Sequence, residues 1–356
     1  MSDNFGDSLA PADSSQATTS PLHKYLTELH SKYQSLEDGA VADYIPELAL
    51  ADPKLFGICI VTKDGQIFEV GDCDRLFTIQ SISKAFIYGL ALEDCGREYV
   101  NSKVGVEPTG EAFNSIVLDV ATNRPYNPMV NAGAIATADL IKGATETERL
   151  KRVLAMFKRY TGRDHDLDVP VFLSEKSTGF RNRAMAYLML NFGMISNNID
   201  ETLDLYFQQC SITVNARDLA MLSATLANGG VNPVTKERAL DEHYVRDVVS
   251  VMLTCGMYNS SGEWTNKVGM PAKSGVGGGI TAVVPNKLGI GIFSPLLDTK
   301  GNSVRGVKVC QDISQDFGLH IFDVARCDHN LDEWILRSAV NQREIVPDQK
   351  ADDKIS

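Results

Sequence analysis

The chain has 356 residues, 44% of them hydrophobic and 22% charged, enough to bury a large core as one big or two intimate domains. A formal net charge of −12 and the lack of any basic block argue against nucleic acid or an anionic membrane surface as partner, because such binding rests on Lys and Arg. No apolar run is long enough to span a bilayer.

Residues 1–20 are polar, acidic and small, so they are expected to form a disordered lead carrying no export or organelle signal. Seven cysteines, at 59, 73, 95, 210, 255, 310 and 327, sit mostly inside apolar segments, which suits reduced core thiols in a cytoplasmic protein. From Pro21 the residues Leu22, Tyr25, Leu26, Leu29, Tyr33 and Leu36 recur at helical spacing, with His23 and His30 read as solvated on the other face. The run Phe56 to Thr62, the turn Lys63-Asp64-Gly65-Gln66 and Ile67 to Val70 predict a β-hairpin. Helical patterns then follow around Met129 to Lys142, Glu146 to Tyr160, Arg183 to Phe192, Glu201 to Cys210, Ala216 to Ala227 and Tyr244 to Leu253. Strand patterns return over Lys267 to Lys273, Ile280 to Val284 and Leu288 to Phe293. Two early and three late strands predict one five-stranded sheet completed non-locally: an α/β lobe from 21–108 and 266–325, an inserted all-helical lobe over 109–265, and a C-terminal helix and polar tail over 326–356.

Chemistry enters with Ile79-Gln80-Ser81-Ile82-Ser83-Lys84, placed before the apolar stretch Ala85 to Leu92. A helix beginning near Ser81 puts Lys84 one turn on, on the same face. A serine hydroxyl needs a base to attack, and a lysine serves only when burial or a neighbouring cation lowers its pKa. The free N–H groups of a helix start can also stabilise an oxyanion. Alone the pair is weak, since Ser and Lys three apart arise by chance about once in such a chain, and a capping Ser with a solvated Lys is the plain alternative. Late in the chain comes Pro271-Ala272-Lys273-Ser274-Gly275, followed by Val276-Gly277-Gly278-Gly279 and a strand. Ser-x-x-Lys with a late Lys-Ser-Gly is the pairing of the penicillin-recognising acyl enzymes. The glycines let backbone approach a substrate, and the strand that follows them argues against a phosphate loop, which needs a helix there.

Further motifs accompany these: Tyr44-Ile45-Pro46-Glu47-Leu48, Asn127-Pro128-Met129-Val130-Asn131-Ala132-Gly133, Ser174-Glu175-Lys176 to Arg181-Asn182, Tyr206-Phe207-Gln208-Gln209-Cys210-Ser211 and Cys255-Gly256-Met257-Tyr258. In order, and from about residue 25 to 320, the sequence resembles the serine-dependent glutaminases. The resemblance implies a β-lactamase/transpeptidase-like α/β fold, hydrolysis of L-glutamine to glutamate and ammonia, and a homodimer or homotetramer. It implies Ser81 as nucleophile, Lys84 as its base, Tyr258 as second acid/base, and the Ser81 and Val276 N–H groups as oxyanion hole. It also implies that Tyr44, Asn131, Glu175, Asn182 and Tyr206 hold the amino-acid end of glutamine. That division is sensible chemically, since an ammonium needs the one carboxylate and an α-carboxylate needs amide and hydroxyl donors. In isolation Asn131 and Asn182 read as caps, Glu175 as a surface charge, and Tyr44 and Tyr206 as half-buried core. Lys273 is read as a neighbouring cation that helps keep Lys84 neutral.

The other readings are a serine β-lactamase or D-Ala peptidase, which would carry a Ser-x-Asn element, and an inactive binding module of the same fold. No cysteine stands on the elbow a cysteine amidotransferase needs. The six histidines form no ligand spacing, and Asp164-His165-Asp166-Leu167-Asp168 reads as a solvated loop, so no metal or organic cofactor is expected.

Overall fold

In the early hairpin, β-branched and apolar residues on both sides of an Asp-Gly turn form β1 (Gly57–Thr62) and β2 (Ile67–Gly71). These follow α1 (Pro21–Gln34), capped by Ser20. The computed structural model describes residues 20–112, 114–196, 198–323 and 331–335. The expected lead before Ser20, most of the polar tail and Cys327 lie outside them.

After β2 come the short strand β3 (Phe77–Thr78), a 3-10 turn over Gln80–Ile82, α2 (Ser83–Cys95) and α3 (Arg97–Lys103). The helical region continues with α4 (Asn131–Asp139), α5 (Glu146–Thr161), α6 (Val169–Thr178), α7 (Phe180–Asn191) and α8 (Ile199–Cys210). Then follow β4 (Thr213–Val214), α9 (Ala216–Ala227), α10 (Glu242–Cys255) and, after a 3-10 turn over Tyr258–Ser260, α11 (Ser261–Lys267). β5 (Ala272–Gly275), β6 (Gly279–Val284), β7 (Leu288–Phe293) and α12 (Val304–Phe317) complete the order.

The main sheet runs β2-β1-β7-β6-β5 with every pair antiparallel, so the late strands do join the early hairpin. Its central strands β1, β7 and β6 are buried along their whole length and mainly apolar because both faces are covered. On one face Ile58, Ile60, Ile280, Ile290 and Ile292 pack with α1 and α12 through Leu26, Val309 and Ile313. On the other, Cys59, Val61 and Phe293 meet Ala216, Ala220 and Ala224 of α9. The sequence reading puts α9 in the helical lobe, whereas the helix lies across β7, β6 and β1. The reason is local. Gly289 and Gly291 carry no side chain toward it, and a Cβ on either would collide with α9 backbone, at Ala224 N–H or the Ala216 carbonyl. Gly291→Ala is therefore expected to destabilise the fold by about 1–3 kcal/mol in denaturant titration, the usual range for overpacking.

Other expectations change too. The strand expected over Lys267 to Lys273 contains only its last part, because residues up to Lys267 close α11 with a Lys267 to Glu263 ion pair one turn apart. Val169-Pro170 opens α6, a helix absent from the expected ones: Asp168, last residue of the expected 164–168 loop, accepts from Val171 N–H as N-cap, and proline fits the first turn. His165 is buried, bonded to Thr161 Oγ1 at 2.7 Å and to the Thr213 carbonyl at 3.0 Å. His30 likewise bonds the Phe56 carbonyl at 3.0 Å and stacks on its ring.

Candidate active site

The segment before Ser81 is held from the helical side. β3 pairs with β4, and Ile79 N–H donates to the Ile212 carbonyl at 2.8 Å. Gln80 then takes φ +51, a left-handed value uncommon outside glycine. This turns the chain into the 3-10 turn that carries Ser81, while α2 itself starts two residues later than the nucleophile. The strand β5 closes on the turn from the other side. A Cβ at Gly275 would stand 2.9 Å from the Ile79 carbonyl, and one at Gly277 2.7 Å from that of Thr78. Small residues after Lys273 thus let two backbones meet beside Ser81.

Lys84 is fully buried on the first turn of a helix that is apolar almost all round. Its Nζ donates to Asn131 Oδ1 at 2.6 Å and lies 3.4 Å from the Met129 carbonyl. Burial pulls its pKa down to about 8, outweighing the opposing pull of Cys210 and Glu175. Lys273, also fully buried, donates to the Ser274 carbonyl at 2.6 Å and lies over the Tyr258 ring, 4.3 Å from its centroid. Its own pKa is pushed well down, first by burial and then by the charge of Lys84. Burial, and not the Lys273 neighbour expected from the sequence, is what lowers the Lys84 pKa. The chain Lys84 to Asn131 extends through Asn131 Nδ2, which donates to Asn182 Oδ1 at 3.1 Å.

Tyr258 adopts φ +53, and its buried hydroxyl is near enough to the Ser81 side chain and the Val276 backbone for both to act against the effect of burial on its pKa. Burial raises its pKa. Two left-handed residues, Gln80 and Tyr258, thus flank the same serine, the kind of backbone strain that gathers at functional sites.

Ser81 opens onto a cavity of about 290 Å³ that also touches Tyr44, Asn131, Glu175, Asn182 and Tyr206. Glu175 is its one carboxylate, and burial lifts its pKa to about 7 against the lowering effects of Lys84 and of a bond from the Gln80 side chain. Tyr44 exposes 54% of its surface at the mouth, while its hydroxyl is close enough to Glu175, Tyr258 and Cys210 to be raised by them as well as by burial. The cavity also includes Gln80, Asn114, Thr178, Gly179, Arg181 and Cys210, to which the sequence reading gave no role. Arg181 and Cys210 stand inside the motifs quoted above, but nothing in their spacing points them at a ligand.

The family model for glutaminases matches residues 39–322. The chain belongs to the glutaminase family. It is 72% identical to the glutaminase of Microcystis aeruginosa, over 92% of this chain and 97% of that one. Its backbone matches a solved structure, the probable glutaminase ybaS, with a TM-score of 0.82 and 42% identity, covering 88% of this chain and all of that one. A second solved structure, Mglu in its glutamate form, matches with the same TM-score and identity over 86% of this chain and 71% of that one. The fold is the β-lactamase-like fold of these glutaminases, and the chain is a glutamine-hydrolysing amidohydrolase. Among the described residues no helix of this glutaminase is long and apolar enough to cross a membrane.

Proposed function

We propose that this glutaminase works through an acyl-serine intermediate on Ser81. Neutral Lys84 takes the Ser81 proton as Oγ attacks the side-chain amide carbon, and the N–H groups of Ser81 and Val276 hold the oxyanion. Tyr258 protonates the departing amine, leaving a glutamyl ester and ammonia. Water then attacks, giving one proton to Tyr258, while Ser81 recovers its own from Lys84. The observation that carries this reading is a buried lysine three residues on from Ser81, with a buried tyrosine and the β5 backbone beside the same serine, at the wall of a cavity whose described lining holds a single carboxylate. The charge of Lys84 adds to burial in driving Lys273 toward neutrality, so Lys273 is no standing cation beside the base.

In this reading Glu175 receives the α-ammonium, with Tyr44, Asn131, Asn182 and Tyr206 around the rest of the amino-acid end. A charge-assisted bond of this kind is worth about 1.5–3 kcal/mol, so Glu175→Gln is expected to raise KM for glutamine roughly 10- to 100-fold with a smaller change in kcat. Steady-state ammonia release measures it, and an unchanged KM would remove Glu175 from the ammonium site.

We further place the protein in the cytoplasm, supported by six described cysteines that are all free thiols. A homodimer or homotetramer is proposed from the exposed apolar residues Phe180 and Tyr187 on α7, to be read by analytical ultracentrifugation. The division at residues 108 and 266 into a sheet lobe and a helical lobe is retained, with α9 assigned to the sheet.

A further inference from the structure

We infer that a second cavity, reaching Tyr258 from outside the glutamine cavity, is the route by which ammonia leaves and the hydrolytic water arrives. The inference rests on the acid/base reading of Tyr258. Its necessity comes from the order of events. After acylation the glutamyl chain still fills the cavity of Glu175 and Tyr206. Ammonia has to depart from the carbonyl carbon, and a water has to reach the same carbon, while that chain stays in place.

The second cavity has a volume of about 210 Å³. Its floor is buried and includes Asn127, Met129 and Tyr258, and its rim is exposed and includes Gly110, Glu111 and Gly262. Of the two proton-transfer groups Tyr258 lines it, while Lys84 lies behind the lining, its Nζ 3.4 Å from the carbonyl of the lining residue Met129. A water takes up roughly 30 Å³ of liquid, so the volume holds a short file of small molecules. Polar side chains such as Thr109, Asn127 and Ser261 line the way between apolar ones, a surface suited to small uncharged polar species. Glu111 at the rim is the single charged side chain of the lining, and it favours ammonia once protonated to ammonium.

The chemistry along the route balances. In acylation the Ser81 proton passes to Lys84 and the Tyr258 proton to the leaving nitrogen, so neutral ammonia enters the cavity. In deacylation a water from the cavity gives one proton to the Tyr258 phenolate and its hydroxide to the carbonyl carbon. Lys84 then returns its proton to Ser81 Oγ.

Gly262 offers a plug. It is the second residue of α11, its φ is not positive, and a Cβ built on it meets no atom within 4 Å. In the series Gly262→Ala, Leu and Trp, the alanine variant is expected to turn over like the parent. The tryptophan variant is expected to lose about tenfold in kcat, with leucine between, because release and water access become limiting. KM for glutamine does not rise, glutamate affinity by calorimetry stays within about twofold, and the pH profile of kcat/KM keeps its shape. Acid-quenched samples accumulate the glutamyl ester on Ser81, read by peptide mass spectrometry. Gly110→Trp fills the cavity from its other rim, where a Cβ also meets nothing within 4 Å, and guards against a folding defect in α11. Parental kcat in both tryptophan variants, at unchanged unfolding midpoint, overturns the route; so does a rise in KM at constant kcat, which would make the cavity a glutamine site. Tyr258→Phe is assayed in parallel. Full activity there overturns the acid/base reading itself, whereas loss there beside normal turnover in the plugged variants overturns only the route.

Discussion

Ser81→Ala is expected to lower kcat by at least about 10⁴-fold, the scale on which a nucleophile of an acyl enzyme acts when its partners remain in place. The fold should be nearly indifferent. Ser81 sits on a 3-10 turn whose course is set by Gln80, by the β3 and β4 pair and by Gly275 and Gly277, none of which needs the hydroxyl. Thermal unfolding should move by no more than that of an ordinary small substitution, about 1 kcal/mol. Glutamate should still bind, because its amino-acid end meets other residues. Turnover within tenfold of the parent would remove the serine from the chemistry.

Lys84→Ala is the second large effect, a loss of about 10²- to 10⁴-fold for removal of the general base. Removing a side chain this deeply buried also leaves Asn131 Oδ1 and the Met129 carbonyl without their donor, so Lys84→Met, which keeps the volume, separates chemistry from packing. The pH dependence adds an independent reading. A base acts in its deprotonated form, so kcat/KM of the parent should rise with pH and level off above about 8, where Lys84 is neutral. Below about 7 the slope should steepen, because Glu175 must be ionised to meet the ammonium and is protonated there as well. The lysine variants should lose the limb near 8 and keep that near 7. A parent profile flat from pH 6 to 9 would contradict both assignments.

Much of this was legible in the chain because period and turn chemistry agreed with the final structure. The Asp-Gly hairpin of β1 and β2, the strand β7 and the helix α9 come straight from apolar periodicity bounded by turn residues. The errors have equally local causes. An apolar stretch over Val268 to Met270 mimics a strand, although the residues before it complete a helical turn with their own ion pair. Helix α6 goes unpredicted because Val169-Pro170-Val171-Phe172-Leu173 shows no 3.6-residue apolar period, although Asp168 caps it and proline fits its first turn. The location of α9 on the sheet depends on glycines more than 60 residues away, a non-local fact that periodicity cannot carry.

The site divides the same way. The spacing of Ser81 and Lys84 points to chemistry only beside the late Lys273-Ser274-Gly275, and Tyr44, Asn131, Glu175, Asn182 and Tyr206, singled out by their motifs, line the cavity onto which Ser81 opens. The bond from Lys84 to Asn131 spans 47 positions, and the left-handed turn at Gln80 belongs to a residue type that gives no warning of it. Nor does any pattern reveal that Lys273 lies over the Tyr258 ring and is itself driven toward neutrality.

The atom that bonds covalently to the substrate decides between a serine and a cysteine nucleophile. Incubating the enzyme with a glutamine-like diazoketone, followed by peptide mass spectrometry, reads that atom. One adduct on the Ser81 peptide, prevented by excess glutamate and absent in Ser81→Ala, is the predicted result. A stoichiometric adduct on the buried thiol of Cys210, on the wall of the same cavity, with Ser81 untouched would contradict it.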